Sequence, residues 1–180
     1  ATTYSTDSIT VVEIMGRNAG WLTAASALSK SEDCNGPDLI YLPEVVFDHE
    51  KFLKKIKEVK KYKSAVIVAV SEGVKTADGK YVCEAEKTNM FEDSFGHKML
   101  GGTALYLADF LGEQTGIKSR GIVFSTLQRC ASHLVSRRDI TEAFTAGADA
   151  VVAALNGETG KMIIFKRISN APYAIVTDSY

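Results

Sequence analysis

The 180-residue chain has little net charge, only three prolines, three cysteines, one tryptophan and no long apolar run. Each shortage excludes something. A formal charge of −1 leaves no bulk field to draw the chain to nucleic acid or to an anionic membrane. No stretch approaches the ~20 apolar residues that span a bilayer, and no basic-then-apolar leader follows Ala1. The chain therefore reads as a piece cut or processed from something longer, with residues 1–7 a frayed end. Cys34, Cys83 and Cys130 are odd in number and widely spaced. They make neither a disulfide framework nor a C-x-x-C pair, so a reducing, cytoplasmic setting is expected. Cys130 and His133 have a loosely metal-like spacing without a second pair, so both read as structural and no metal-ligating residue is assigned. No internal repeat, low-complexity tract or linker interrupts residues 1–180, which read as a single domain. The composition, 46% hydrophobic and 24% charged, suffices for one real core.

The chain is organised around residues 11–21, Val-Val-Glu-Ile-Met-Gly-Arg-Asn-Ala-Gly-Trp. Ile9 to Ile14 is rich in β-branched side chains and predicts a buried strand. Met15-Gly16-Arg17 then interposes a glycine and a fixed positive charge. Ala19 to Leu28 predicts a helix with Trp21, Ala24, Ala25 and Leu28 on one stripe. Strand, glycine, arginine and helix start is one way to build an anion site: backbone N–H groups are accessible and the guanidinium is a forked donor. The same pattern also makes a tight, well-packed turn with no ligand.

Further strands are expected at Leu39–Leu42, Ala65–Val70, Arg120–Phe124, Lys161–Lys166 and Tyr173–Thr177. Asp48 is placed to cap a helix whose stripe is Phe52, Leu53, Ile56 and Val59, with lysines on its solvated faces. A small hairpin is expected around Asp78-Gly79, and residues 84–94 read as irregular. A helix is expected from about Gly96 to Leu111, stopped by Gly112, with His97 a surface residue near its start. Another runs from Ile140 to Leu155, capped by Asp139, with Ala143, Phe144, Ala150, Val151 and Ala154 on its apolar side.

Alternating strands and helices predict an α/β fold: a mainly parallel sheet with helices on both faces, Rossmann-like. Ligands of such sheets lie beyond the carboxyl ends of the strands. Here those ends carry Gly16-Arg17, Pro43-Glu44, Ser71-Glu72-Gly73 and Thr126-Gln128-Arg129. Arginines suit phosphate and a carboxylate suits sugar hydroxyls, so the set describes a sugar-phosphate pocket better than a metal or hydride site. Glu44 fits a structural or interface role as well as a ligand contact. Glu13, a charge inside a strand, needs a partner in the packing.

The ordered set of segments resembles the 6-phosphofructokinases. Met15-Gly16-Arg17, Leu42-Pro43-Glu44, Ser71-Glu72-Gly73, Lys118-Ser119-Arg120 and Leu127-Gln128-Arg129 follow that family's order between about residues 8 and 166. Asp93-Ser94-Phe95-Gly96-His97 and Leu100-Gly101-Gly102 resemble its pyrophosphate-using branch. The resemblance implies phosphorylation of the 1-hydroxyl of fructose 6-phosphate, a glycolytic kinase step, with pyrophosphate as donor. An ATP-dependent enzyme and a non-catalytic sugar-phosphate-binding regulatory module are the alternatives. It implies that Met15 and Gly16 line the sugar and that Arg17, the one catalytic residue assigned, offsets charge on the transferred phosphoryl. Glu72 would hold sugar hydroxyls, and Thr126, Gln128 and Arg129 would bind around the 6-phosphate. Arg120 would reach the pocket of a neighbouring subunit, in a homodimer or homotetramer. The family's Thr-Ile-Asp motif and its glycine-rich donor segment do not occur here. The resemblance thus implies the acceptor-binding part of a longer enzyme, inactive by itself, with Mg²⁺ held mainly by the absent donor-binding domain.

Overall fold

The computed structural model describes residues 6–85 and 102–180. Sequence expectations for residues 1–5, for 86–94, for the segment 93–101 including His97, and for a helix start near Gly96 lie outside these residues. The chain divides into two compact units, Ala1–Cys130 and Ala131–Tyr180, where the sequence reading treats residues 1–180 as one.

In the first unit, β1 (Ser8–Ile14), β2 (Leu39–Tyr41), β3 (Ala65–Ser71) and β4 (Ser119–Val123) form a parallel sheet in the order β2-β3-β1-β4. Two runs expected to be buried strands are so: Ile9, Val11, Val66, Val68 and Val70 are fully enclosed, whereas β4, also expected to be buried, is an edge strand with Arg120 and Ile122 exposed. The enclosed residues face α2 (His49–Lys60) and α3 (Thr103–Thr115), which bring Phe52, Ile56, Ala104, Leu107 and Leu111 into the same core. Asp48 caps α2 as expected, its carboxylate accepting from the Lys51 N–H at 3.0 Å. The lysines of α2 lie mainly on its exposed sides. The expected hairpin is a single antiparallel bridge, Lys75 with Tyr81, around the turn at Gly79. Among the described residues no helix is long and apolar enough to cross a membrane.

The bounds of three helices are corrected, and the buried faces of two. The helix after Met-Gly-Arg is short: α1 covers Trp21–Ala25 and tightens into a 3₁₀ turn, Ser26–Ser29. The Ser26 and Ser29 hydroxyls donate to carbonyls three residues back, at 2.6 and 2.7 Å. A seven-residue stripe presupposes a continuous 3.6-residue pitch. Here Trp21 and Leu28 are instead 83% and 86% exposed, and Thr23 is the buried residue.

The third helix does not stop at Gly112. It continues to Thr115 and ends at Gly116, whose φ of 68° supplies the left-handed cap and whose N–H reaches the Gly112 carbonyl at 2.9 Å. In the second unit, α4 (Arg137–Leu155) starts earlier than expected. Its cap is Ser136, accepting from the Asp139 N–H at 3.4 Å, so that Asp139 lies in the first turn. This helix meets the antiparallel pair β5 (Ile163–Asn170) and β6 (Tyr173–Ser179) through its half-buried side, Glu142, Ala146, Asp149 and Ala153. Glu142 accepts from the Tyr173 hydroxyl at 3.3 Å and Asp149 from that of Thr177. The apolar stripe read from sequence, including Phe144 and Val151, is exposed.

Gly112 is therefore an interior helix glycine, and a Cβ added there meets nothing within 4 Å. Gly112→Ala is expected to stabilise the protein by about 0.5–1 kcal/mol. Chemical denaturation checks this, and a loss of stability would contradict the helix bounds.

Candidate functional site

The register of β1 on β3 sets Ile14 opposite Ser71, so both strands end side by side. Beyond β1 comes Met15-Gly16-Arg17 and beyond β3 comes Glu72-Gly73. The chain leaves β1 toward β2 and leaves β3 toward β4, on opposite sides of the β1–β3 pair. Such a reversal is where open α/β sheets hold ligands.

The two ends are joined directly. The Glu72 N–H donates to the Ile14 carbonyl at 3.1 Å, and Glu72 Oε1 accepts from the Gly16 N–H at 3.3 Å. The Ser71 hydroxyl, wholly buried, donates to the Gly16 carbonyl. Gly16 has a φ of +153°, and an added Cβ would stand 2.6 Å from the Ala19 carbonyl oxygen and 2.8 Å from Ser71 Oγ. Gly73 is tighter: an added Cβ would fall 1.8 Å from the Arg17 carbonyl oxygen. Only backbone without a side chain fits between the two strand ends.

The third contributor follows β4. Ser125 turns the chain with a φ of 46°, left-handed for a residue that is not glycine. Such strain costs on the order of 1 kcal/mol and gathers at functional sites. It leads into a 3₁₀ helix, Ser125–Arg129. From there Gln128 reaches back across the sheet, its Oε1 accepting from the Met15 N–H at 3.0 Å.

These ends enclose a cleft of about 550 Å³ lined by Met15, Gly16, Arg17, Glu72, Gln128 and Arg129, with Ala19, Trp21 and Leu22 completing the wall. The volume is in the range of small-molecule sites. Six of the residues read from sequence as the site are thus brought together. Two are not. Thr126 sits in the same 3₁₀ helix but does not line the cleft, and its carbonyl accepts from the Cys130 thiol. Arg120 pairs in register with Thr10 within β4, is exposed and does not line the cleft. Glu44 has a structural task, accepting from the Gly20 N–H at 2.7 Å at the start of α1. Trp21 and Leu22 were missed because the helical stripe assigned Trp21 to packing and left Leu22 without a role. A larger cavity, about 730 Å³, lies in the second unit beside Arg138, Glu142 and β6. It contains none of the residues that sequence singled out, and Arg138 is already bound to the Tyr173 carbonyl at 2.9 Å.

Glu13, the charge in the middle of a strand, is 4% exposed. Its partner is the N-terminus of α3: Oε2 accepts from the N–H groups of Gly102 and Ala104 at 3.1 and 3.0 Å. Burial pushes its carboxyl above the ordinary value, the Ala104 N–H draws it back, and the charge of Glu72 pushes it up again. Among the described residues no group of three or more His, Cys, Asp or Glu side chains fits a metal ion.

Comparison with known proteins identifies the family. Residues 1–154 match the family described as phosphofructokinase. The chain belongs to the phosphofructokinase family. Relatives named pyrophosphate--fructose 6-phosphate 1-phosphotransferase include that of Halomonas elongata, 39% identical over 91% of this chain and 38% of the relative. That of Methylococcus capsulatus is 40% identical over 92% and 38%. A sulfofructose kinase from Alkalicoccus urumqiensis is 30% identical over 96% and 45%. The crystal structure of the pyrophosphate-dependent phosphofructokinase from Nitrosospira multiformis aligns with a TM-score of 0.65 at 34% identity, over 99% of this chain and 40% of that one. The chain thus spans about two fifths of the length of these phosphofructokinases, and their fold includes the parallel sheet described here.

The packing of Gly73 on Arg17 is directly testable. Gly73→Ala is expected to cost about 1–3 kcal/mol of stability. The same substitution should shift the backbone resonances of Met15 to Arg17. An unchanged denaturation midpoint would show that the strand ends are not in contact.

Proposed function

We propose that the cleft is the acceptor site of a 6-phosphofructokinase that transfers a phosphoryl group to the 1-hydroxyl of fructose 6-phosphate, with pyrophosphate as donor. The observation that carries this reading is the convergence of Arg17, Glu72 and Arg129 on one cleft at the strand ends. The names of the relatives favour pyrophosphate over ATP. In this reading residues 1–180 are the fructose 6-phosphate-binding part of a longer enzyme, inert alone because its proton acceptor and donor-binding segment lie outside this chain.

Each residue has a chemical task. The Met15-Gly16 backbone fits against the sugar. Glu72 holds the Gly16 N–H and, having further lone pairs, accepts from sugar hydroxyls as well. Arg129 meets the 6-phosphate through its forked donors, with Gln128 and Thr126 on the same turn. Arg17 lies at the reacting end, where a fixed positive charge offsets charge on the transferred phosphoryl. Arg120, away from its own chain's cleft, serves the 6-phosphate of a neighbouring subunit, so the working form is a homodimer or homotetramer. Mg²⁺ would travel with the donor and be held mainly by the donor-binding part of the longer enzyme. The relatives' names also suit a cytoplasmic glycolytic role.

Steady-state kinetics of the full-length protein test the assignment. Arg129→Ala should raise the KM for fructose 6-phosphate by ~10-fold or more, the loss of a charged hydrogen bond of about 1.5–3 kcal/mol. Arg17→Ala should lower kcat mainly. Unchanged kinetics for Arg17→Ala would overturn its role. A preference for a 6-sulfonate over the 6-phosphate would move the reading toward the sulfofructose kinase relative.

A further inference from the structure

Among the described residues of the first unit, Glu13 is a buried charge that the reaction leaves unused, and its contacts run toward the cleft. Its carboxylate draws in the first N–H groups of α3, Gly102 at 3.1 Å and Ala104 at 3.0 Å. Between those two residues lies Thr103, fully buried, whose hydroxyl donates to the Glu72 carbonyl at 3.2 Å. Glu72 in turn donates its own N–H to Ile14 and accepts from Gly16. The path therefore closes: from Glu13 in β1, across the helix N-terminus, to the end of β3, and back to the turn that follows Glu13 in the chain.

Two features set this apart from ordinary packing. Glu13 lies opposite Val70 and Val123 in register, on the sheet face otherwise filled by Val11, Leu107 and Leu111. A charge there is costly unless backbone donors satisfy it. The donors are those of a helix start, where N–H groups lack intrahelical partners and the helix dipole favours an anion. An aliphatic residue would fill the space without holding the helix end. The carboxylate fixes where α3 begins, and Thr103 transmits that position to Glu72.

We propose that Glu13 is a positioning residue of the acceptor site: it anchors the N-terminus of α3 so that Thr103 holds Glu72, and Glu72 holds the Met15–Arg17 turn, in binding geometry. This rests on the reading of the cleft as the fructose 6-phosphate site. It adds a residue that touches no substrate, and it predicts damage confined to the acceptor.

The test uses the full-length protein with Glu13→Gln, Thr103→Val and the double variant, measuring KM for fructose 6-phosphate and for the phosphoryl donor. Glu13→Gln keeps the shape but weakens the grip on the helix end. It should raise the acceptor KM by ~10-fold, the scale of one charge-assisted hydrogen bond, and leave the donor KM unchanged. Thr103→Val removes the hydroxyl without adding a buried charge and should reproduce the effect. The double variant should be little worse than either single one, because both cut the same path. Should Glu13→Gln fail to fold, Thr103→Val alone decides: an unchanged acceptor KM overturns the proposal. Equal rises in both KM values, or strictly additive effects, overturn it as well. A wild-type protein that does not use fructose 6-phosphate overturns the reading of the cleft itself, and this role with it.

Discussion

Everything in the first unit that bears on chemistry depends on how β1 lies against β3. The pairing is parallel and ends both strands at the same level, Ile14 beside Ser71. A slip of one residue would send every side chain of β1 to the other face. Val11 would leave the core and Glu13 would lose the end of α3. The register is held by the core on one side and by glycine on the other. Val11, Val68 and Val70 are enclosed with Phe52 and Leu107. At the end of the pair, Gly73 lies so close to Arg17 that no side chain could replace its hydrogen. The site is in this sense a consequence of a strand register closed off by two glycines, with one carboxylate, Glu72, bonding across the gap.

The sheet was legible because its signal is local. Runs such as Ala65–Val70 are short, continuous and β-branched, and only a covered strand suits them. The site was legible for the same reason, since the residues after each strand are short polar interruptions that a parallel sheet must place on one edge. The helices were less legible. A stripe at helical spacing marks a possible buried face but neither its partner nor the local pitch. Trp21 and Leu28 share a stripe only if the helix stays regular, and the serine hydroxyls at 26 and 29 tighten it. In α4 the side that meets β6 carries Glu142 and Asp149, and the apolar stripe lies elsewhere on the helix. Gly112 and Gly116 are equally plausible stops by spacing; only the chain's turn past Thr115 distinguishes them. Glu13 announces itself as a problem in the sequence, but its solution lies about ninety residues away at Gly102 and Ala104, beyond any local pattern.

Within the phosphofructokinase family this chain holds a distinct share of the architecture. It supplies a sheet edge rich in arginine, a carboxylate already partly engaged by backbone, and a strained turn at Ser125 that carries Gln128 and Arg129. Arg17 and Arg129 both line the cleft, one following β1 and the other following β4.

The central claim is that the strand-end cleft of the first unit receives a sugar phosphate. Titrating fructose 6-phosphate into isotopically labelled protein and following backbone amide resonances tests it most directly. Saturable shifts are expected at Met15, Gly16, Arg17, Glu72, Gln128 and Arg129, and none on addition of fructose without its phosphate. Shifts confined to the opposite end of the sheet, around Asp38 and Lys63, or an unchanged spectrum at saturating ligand, would contradict it.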